Sequence, residues 1–462
     1  MLNNIELIIV KNGFLKRYFL IIFLVKFLNF FLLTLFIIKD YKANNLSINY
    51  NDLIFNNEEN KIRIGIVSQS LKNGGCERQT SLILNYLNKI KIFDFFLFTK
   101  KEKEENEYLI GQNIERIILQ SNLISLLIIK KIDILIYQFY DINEISQLNS
   151  LKIKLILINR SCFLHWIYYK DYYTFEKLYT VYSQSKYIIS LIPFENDYLF
   201  KKWGIKSILM NNFIPYEAKS ILPSHLSSKI ILMIGRGDDP TKRFDLGIRA
   251  MKYIIEDIPE CEMRVISKLD PIQNLKNLTY KLNLENHIKF IGYTSNPEKN
   301  YQEASLNIFP TLVEAFPNIL SETLVFGIPN ILIGLDYVSL VNGGSIIIYN
   351  DSPFVIAKIA KKILNNYRYR KKLGNEARKN MRKFKNEILV KRWINLLLSI
   401  YKGDKFYDEI RRKDIKIEDE KAKIIIHNQL TLLKKRNKKF QNITINHIQN
   451  FTYMTHFLNS MK

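Results

Sequence analysis

The stretch LNIFPTLVEAFPNILSETLVFGIPNILI, residues Leu306–Ile333, shows how the chain around it folds. LNIF at its start and NILI at its end are apolar runs of strand length. Between them, Pro317 is tolerated only at the start of a helix, and Gly327 with Pro329 stops that helix before the next strand. The stretch is therefore strand, helix and strand, the alternation that builds an α/β sheet.

The same alternation continues on both sides of this stretch. Apolar runs are separated by segments long enough for helices, and one such segment, Arg243–Ile258, has an amphipathic pattern. The predicted strands are Ile62–Val67, Phe93–Phe98, Asp133–Gln138, Ile153–Ile158, Lys229–Gly235, Glu262–Ser267, His287–Gly292, Leu306–Pro310 and Asn330–Ile333. Continuous apolar strands predict parallel sheets covered on both faces. We therefore predict an α/β fold of two doubly wound, Rossmann-like domains facing a cleft.

A chain of 462 residues has room for two such domains, because single cores stop growing near ~250–300 residues. Pro215 and Pro223 break the chain where the two series of strands meet. The predicted organisation is a tail (1–18), an apolar segment (19–38), a linker (39–60), an N-terminal domain (61–215), a C-terminal domain (216–385), a closing helix (386–402) and a charged appendage (403–462).

Two carboxylates flank the start of the helix predicted at Pro317. Glu314 precedes the helix, and Glu322 lies about one turn into it, on the edge of the expected crevice. The free backbone N–H groups of Phe316 to Ile319 can face an anion. Carboxylates at this spacing suit the hydroxyls of a sugar and of a ribose. A lone glutamate at position 322 would equally suit a solvated helix surface.

Two cations follow the strand Lys229–Gly235. Arg236 leaves the buried strand end, where open α/β sheets place their ligands, and Lys242 is predicted to begin the next helix. Two converging cations suit a diphosphate, and the alternative is two solvated charges on a basic chain. Asp238 and Asp239 lie beside a proline, which favours a turn over a metal site.

A glycine pair follows the first predicted strand. Gly74 and Gly75 precede a helix that is predicted to begin near Cys76. Glycines at that position let the backbone approach a ligand closely, and a helix N-terminus favours negative charge. An ordinary turn between strand and helix explains the pair equally well.

Together these motifs resemble glycosyltransferase family four, the retaining GT-B enzymes, across residues 62–402. The resemblance rests on the glycine pair followed by Glu77-Arg78, on Gly235-Arg236 with Lys242, on the Glu-x7-Glu run Glu314–Glu322, on Gly327-Ile328-Pro329 and on Arg370–Phe384. The Glu-x7-Glu run in this setting is the specific signal.

The resemblance implies a GT-B enzyme that takes a sugar from a nucleotide-diphosphate sugar. Arg236 and Lys242 would neutralise the diphosphate, Glu322 would hold the ribose, and Glu314 with the neighbouring amides would grip the sugar. A His or Arg near position 165 often contacts the donor sugar in the family, which points to His165 and Arg160. The expected catalytic residues are Arg236, Lys242 and Glu314, and the expected substrate-binding residues are Gly74, Gly75, His165, Phe316, Pro317, Asn318, Ile319 and Glu322.

The resemblance also implies that no metal and no cofactor is required, and that the anomeric configuration is retained. The N-terminal domain would bind the acceptor, a glycan or a lipid-linked sugar, which the sequence leaves unidentified. The alternatives are another GT-B activity on nucleotide-sugars, of epimerase or phosphorylase type, and a non-catalytic basic protein associated with membranes.

The run FLIIFLVKFLNFFLLTLFII, residues Phe19–Ile38, is long enough to span a ~30 Å hydrocarbon core as a helix. Lys26 interrupts it, so a helix lying in the membrane interface is the alternative to a transmembrane anchor. We predict a single-pass membrane protein, in the endoplasmic reticulum or Golgi if the source is eukaryotic. A slight excess of basic residues before the run favours a lumenal enzyme, whereas the unpaired cysteines favour the opposite side.

The net charge of +24 does not require a nucleic-acid partner. Lysine is spread along the whole chain rather than clustered, as in proteins of AT-rich genomes, and no binding to nucleic acid is expected. The three cysteines, Cys76, Cys162 and Cys261, are far apart, which fits neither a disulfide framework nor the spacing of a metal site.

Overall fold

The structure is a computed structural model that describes residues 61–72, 74–120, 122–138, 142–160, 179–216, 220–292, 294, 297–312, 314–334, 336–341, 343–349 and 351–403. The described chain from Ile62 to Gly403 belongs to one compact unit. The predicted apolar segment 19–38, the linker and the appendage beyond Gly403 lie outside the described residues. Within the described part, no helix has both the length and the apolar character needed to cross a membrane.

The N-terminal domain is built on a parallel sheet of seven strands within the described residues. Its strands have the order β3-β2-β1-β4-β5-β6-β7. They are β1 (Ile62–Ser68), β2 (Phe93–Thr99), β3 (Glu115–Ile118), β4 (Ile134–Tyr137), β5 (Lys154–Ile158), β6 (Tyr187–Ser190) and β7 (Ile208–Leu209). The accompanying helices are α1 (Gly75–Leu87), α2 (Leu123–Ile129), α3 (Ile142–Asn149) and α4 (Pro193–Trp203).

The C-terminal domain repeats this plan with six parallel strands in the order β10-β9-β8-β11-β12-β13. They are β8 (Ile230–Ile234), β9 (Glu262–Ile266), β10 (Ile288–Ile291), β11 (Leu306–Phe309), β12 (Asn330–Ile333) and β13 (Ser345–Ile348). The helices are α5 (Phe244–Ile254), α6 (Gln273–Lys281), α7 (Glu298–Glu303) and α8 (Asn318–Val325), with 3-10 turns at Pro240–Lys242, Asp270–Ile272 and Asp336–Leu340.

The predicted α/β fold with two doubly wound sheets is confirmed. Strand order reverses between β1 and β4 in one sheet and between β8 and β11 in the other. A crevice forms at such a reversal, outside the carboxyl ends of the strands, and ligands of doubly wound folds bind there. The residues that follow β1, β8 and β11 are therefore placed at these crevices.

One predicted boundary was wrong. Lys242 does not begin a helix but ends the 3-10 turn Pro240–Lys242, and α5 starts at Phe244. Asp239 caps this turn, and Arg243 adopts a left-handed backbone with φ of 53°. That conformation interrupts the helical backbone, so the turn and α5 are separate elements.

Three helices complete the described chain: α9 (Pro353–Asn365), α10 (Tyr367–Met381) and α11 (Asn386–Lys402). α11 returns to the N-terminal domain. Lys154, at the start of β5, donates to the carbonyl oxygens of Ile400 and Tyr401 at 2.6 and 2.7 Å. Arg392 donates to the carbonyl oxygen of Leu209 in β7 at 2.5 Å.

Asn386, the first residue of α11, joins the two chain segments that pass between the domains. Its Oδ1 accepts from the backbone N–H of Ile214 at 2.9 Å, and its Nδ2 donates to the carbonyl oxygen of Ile214 at 2.7 Å. The same Nδ2 donates to the hydroxyl of Tyr86 in α1 at 2.8 Å. The buried side chain of Asn386 therefore links both interdomain segments, the one at Ile214 and the start of α11, to α1 of the N-terminal domain.

Candidate functional site

A cleft of about 1790 Å³ lies between the two sheets, at the crevices defined by their strand order. Both domains contribute to its walls. Of the residues predicted to act on substrate, those that line it are Gly74, Gly75, Arg236, Lys242, Glu314, Phe316, Asn318, Ile319 and Glu322. Pro317 is buried at the start of α8 and is not part of this lining. His165 lies outside the described residues, whereas Arg160 lines the cleft.

Arg236 stands at the carboxyl end of β8 with its side chain 72% exposed. It donates to Asp239 at 2.7 Å. Asp239 also accepts from the backbone N–H and the hydroxyl of Thr241, at 2.9 and 2.6 Å. Partial burial of Asp239 opposes its ionisation, but these hydrogen bonds outweigh burial and hold its pKa below the usual range. Asp239 therefore shapes the turn, while the exposed guanidinium of Arg236 faces the cleft.

Lys242 and Glu314 meet where the strand order of the C-terminal sheet reverses. The ammonium of Lys242 contacts the carboxylate of Glu314 directly, and the two side chains are only 16% and 17% exposed. The loop after β11 is tied to the turn after β8 by the backbone N–H of Leu312, which donates to the carbonyl oxygen of Thr241 at 2.8 Å. Two residues 72 positions apart are thus brought together as a largely buried ion pair that lines the cleft.

The N-terminus of α8 adds backbone donors to the same wall. Pro317 precedes the helix, as predicted, and has no side-chain group that could cap it. Asn318 and Ile319, in the first turn, line the cleft. The N–H groups of a first turn have no partner within the helix and carry a partial positive charge, so this end of α8 suits an anion.

The glycine pair brings the two domains into close approach. Asn318 Nδ2 donates to the carbonyl oxygen of Gly75 at 3.4 Å. A Cβ atom at Gly75 would lie 3.3 Å from that amide nitrogen, and one at Gly74 would lie 1.7 Å from a carboxylate oxygen of Glu77. The small residues therefore leave room for protein groups of α1 and α8, in addition to any ligand.

A polar network continues this contact along the floor of the cleft. Asn318 Oδ1 accepts from Gln79 and from Asn212, each at 3.2 Å. Asn212 Oδ1 in turn accepts from Arg160 at 2.5 Å, and Arg160 also donates to Gln138 Oε1 at 2.7 Å. The side-chain amide of Asn318, in the C-terminal domain, is therefore held by residues of the N-terminal domain.

Glu322 is not on the edge of the crevice, which corrects the sequence-based placement. It is 0% exposed and lies at the base of the cleft. Its Oε1 accepts from Arg78 Nη1 at 2.7 Å, and its Oε2 accepts from the Tyr301 hydroxyl at 2.7 Å. Its burial also excludes the solvated position that a lone helix glutamate would take.

Burial dominates the electrostatics around Glu322. It raises the pKa of the Glu322 carboxyl, although Arg78 and the Tyr301 hydroxyl act in the opposite direction. Burial lowers the pKa of Arg78, but the Glu322 carboxylate outweighs it, and the net shift is upward. Burial and the nearby Glu322 charge raise the pKa of Tyr216 to about 12. Arg78 is thus the cation that opposes protonation of Glu322.

The sequence did not predict the partners of Glu322. Arg78 belongs to the glycine-pair motif, yet its contact lies 244 positions away in the chain. Tyr301 is in α7, where no motif marks it. Asn212, which contacts Asn318 rather than Glu322, follows the two-residue strand β7 and carries no signal either. Only the reversal of strand order at both crevices could have indicated that these segments converge.

Part of the chain matches a known protein family. Residues 217–380 match the family model of the Glycosyl transferases group 1. This match covers most of the C-terminal domain and confirms the resemblance inferred from the sequence.

Solved structures confirm the GT-B fold over both domains. Sucrose-phosphate synthase of Thermosynechococcus elongatus aligns with a TM-score of 0.65 at 15% identity, over 74% of this chain and 100% of its own. HepE of Anabaena, in complex with UDP, aligns with a TM-score of 0.60 at 14% identity, over 73% of this chain and 100% of its own.

Curated relatives match shorter segments. The poly(glycerol-phosphate) alpha-glucosyltransferase of Bacillus subtilis is 26% identical over 176 residues, which are 36% of this chain and 26% of that protein. The "GalNAc-alpha-(1->4)-GalNAc-alpha-(1->3)-diNAcBac-PP-undecaprenol alpha-1,4-N-acetyl-D-galactosaminyltransferase" of Campylobacter jejuni is 24% identical over 176 residues, 37% of this chain and 48% of that protein. The matches thus span about half or less of these relatives.

Proposed function

We propose that this protein is a retaining glycosyltransferase that moves a sugar from a nucleotide-diphosphate sugar to a glycan or lipid-linked acceptor. One observation carries the proposal. Arg236, the Lys242–Glu314 pair and the N-terminus of α8 converge where the strand order of a family-type C-terminal domain reverses. This arrangement offers two cations and a row of amides to a diphosphate, with a carboxylate beside them.

The positive groups would act on the leaving nucleotide diphosphate. When the bond from the anomeric carbon to the diphosphate oxygen breaks, negative charge develops on that oxygen. Lys242, the exposed guanidinium of Arg236 and the first amides of α8 are fixed donors for that charge, and preorganised donors stabilise a transition state without a cost of reorganisation. The chain thus supplies protein cations for a role that a metal ion performs in other enzymes.

The carboxylates would hold the two ends of the donor. Glu314 faces the cleft beside Lys242, where it can accept hydrogen bonds from hydroxyls of the transferred sugar. Glu322 lies one helical turn beyond the start of α8, at the depth expected for the ribose. The relative HepE, solved with UDP-glucose as well as with UDP, supports a uridine donor as the first to test.

The N-terminal domain would present the acceptor from the opposite wall. Gly74, Gly75 and Arg160 face the C-terminal residues across the cleft. The Campylobacter relative is named for an acceptor linked to undecaprenol through a diphosphate, which supports a lipid-linked glycan.

Membrane attachment through residues 19–38 is part of this proposal. Full-length protein is expected to sediment with membranes after an alkaline wash, whereas a chain lacking residues 1–40 is expected to stay in the supernatant.

The donor site is tested by thermal stabilisation of the full-length protein in detergent with a panel of UDP-, GDP- and ADP-sugars. We expect one nucleotide to raise the Tm with EDTA present as well as without it, and Glu322→Ala to abolish that rise. Lys89→Ala, an exposed substitution beyond the end of α1, is the matched control and should keep it. A folded protein that no nucleotide-sugar stabilises would refute the proposed donor site.

A further inference from the structure

We propose that Arg78 of the N-terminal domain is a positioning residue for the donor site of the C-terminal domain, which it completes only while the two domains are closed on each other. The inference rests on the proposed function, because it takes Glu322 to be the carboxylate that receives the donor. It adds a requirement that the C-terminal domain alone cannot meet.

The geometry places Arg78 as the outer of two partners of Glu322. Tyr301, from the same domain, donates to Oε2, and Arg78, from α1 of the other domain, donates to Oε1, each at 2.7 Å. Glu322 is fully buried, while the Arg78 side chain is 22% exposed. Opening the cleft would therefore leave Tyr301 in place and remove Arg78.

Arg78 is itself held in a defined place. Its backbone N–H donates to the carbonyl oxygen of Gly74 at 3.0 Å, which fixes it in the first turn of α1. Its guanidinium lies 5.9 Å from the ring centre of Tyr216 and 6.0 Å from that of Tyr108, within the range of cation–π attraction. The helix that begins at the glycine pair thus places the guanidinium of Arg78, as well as the backbone amides of its first turn, at the cleft.

The charge of the buried carboxylate depends on this partner. A carboxylate accepts stronger hydrogen bonds from hydroxyls than a neutral carboxyl does, so a ribose binds best to ionised Glu322. The groups facing Glu322 are Arg78 from α1, Tyr301 from α7 and Tyr216 from the segment that connects the domains. Of these three, only Arg78 carries a positive charge, so it favours the ionised form of Glu322 against the effect of burial.

Two further groups lie beside the three residues that face Glu322. Tyr108 lies beside Arg78, and Glu298 lies beside Tyr216. Neither brings a positive charge to Glu322. Because closure supplies the Arg78 charge and the donor binds the ionised carboxylate, closure and donor binding favour each other through a reciprocal coupling.

The experiment compares full-length wild type, Arg78→Gln and Arg78→Lys by calorimetric titration with the nucleotide-sugar that stabilises the wild type. We expect Arg78→Gln to move the loss of binding on the acid side to higher pH. Below the pKa of Glu322 in that variant, Kd should rise about tenfold for each unit of pH. Arg78→Lys should restore part of the wild-type profile, and Arg249→Gln, an exposed substitution in α5, should leave it unchanged.

A double-mutant cycle separates this role from a general effect on folding. Glu322→Gln cannot titrate, so adding Arg78→Gln to it should change Kd little further. Additive losses would overturn the inference, as would an Arg78→Gln profile identical to wild type. If Arg78→Gln does not fold, the shift of the profile in Arg78→Lys decides. A folded wild type that binds no nucleotide-sugar overturns the proposed function first, and the two failures are thereby distinguished.

Discussion

Replacement of Lys242 by methionine should reduce transfer while leaving the fold intact. The substitution keeps most of the side-chain length and removes the charge. The structure places the ammonium in contact with Glu314, only 16% exposed, at the crevice of the C-terminal sheet. A hydrogen bond to a charged group in such a place contributes ~1.5–3 kcal/mol. Since 1.36 kcal/mol corresponds to a factor of ten, kcat/KM should fall by roughly 10- to 150-fold.

The assay is the initial rate of sugar transfer at varied donor concentration. A cation that acts on the developing diphosphate charge lowers the barrier more than it tightens ground-state binding, so the loss should fall mainly on kcat. Lys252→Met, on the exposed surface of α5, removes the same charge away from the cleft and should keep the wild-type rate. A Lys242→Met enzyme with unchanged kcat/KM would refute the role assigned to this residue.

Three further outcomes are expected. Gly344→Ala should lower the free energy of unfolding by more than ~2 kcal/mol, because its φ is 77° and the new Cβ would lie 2.4 Å from the backbone of α10. Gly204→Ala, with φ of 68° and open space around it, should lower the free energy of unfolding by only ~1–2 kcal/mol. Urea unfolding compares the two variants, and equal losses would contradict the packing argument. Tyr301→Phe removes one hydrogen bond to Glu322 and should raise the donor Kd about tenfold, measured by calorimetry; no change would show that the hydroxyl is dispensable. Burial raises the pKa of the Cys76 thiol to about 11, so only about one molecule in a thousand carries a thiolate there at pH 8. Iodoacetamide reacts with the thiolate, so peptide mass spectrometry should find Cys76 unmodified until the protein is unfolded.

The sequence predicted most of the strands that are buried on both faces. Such strands are continuous apolar runs, as in β2 and β12, and their order along the chain implies a parallel sheet. It missed β3, an edge strand of the sheet, whose four residues begin with the charged pair Glu115-Arg116 and show no continuous apolar run. It also missed β7, which has only two residues and leaves no pattern, and the four-residue strands β6 and β13.

The sequence predicted the individual residues of the candidate site, but it did not predict the contacts that residues of the two domains make with each other. Local chemistry indicated Arg236, Lys242 and Glu314, because each follows a strand end and strand ends meet at one edge of a sheet. The partner of Glu322 could not be found in that way. Arg78 and Glu322 belong to different domains, and their contact depends on how those domains close, which no local spacing encodes.

The return of α11 to the N-terminal domain has a consequence for synthesis on the ribosome. Residues 62–209 leave the ribosome long before Asn386–Lys402, which supply partners for Lys154 and for the end of β7. The N-terminal sheet therefore cannot pack against α11 until the whole C-terminal domain has been translated. A ribosome that stalls in between would hold a domain with an uncovered flank, so chaperones have their longest opportunity to bind there.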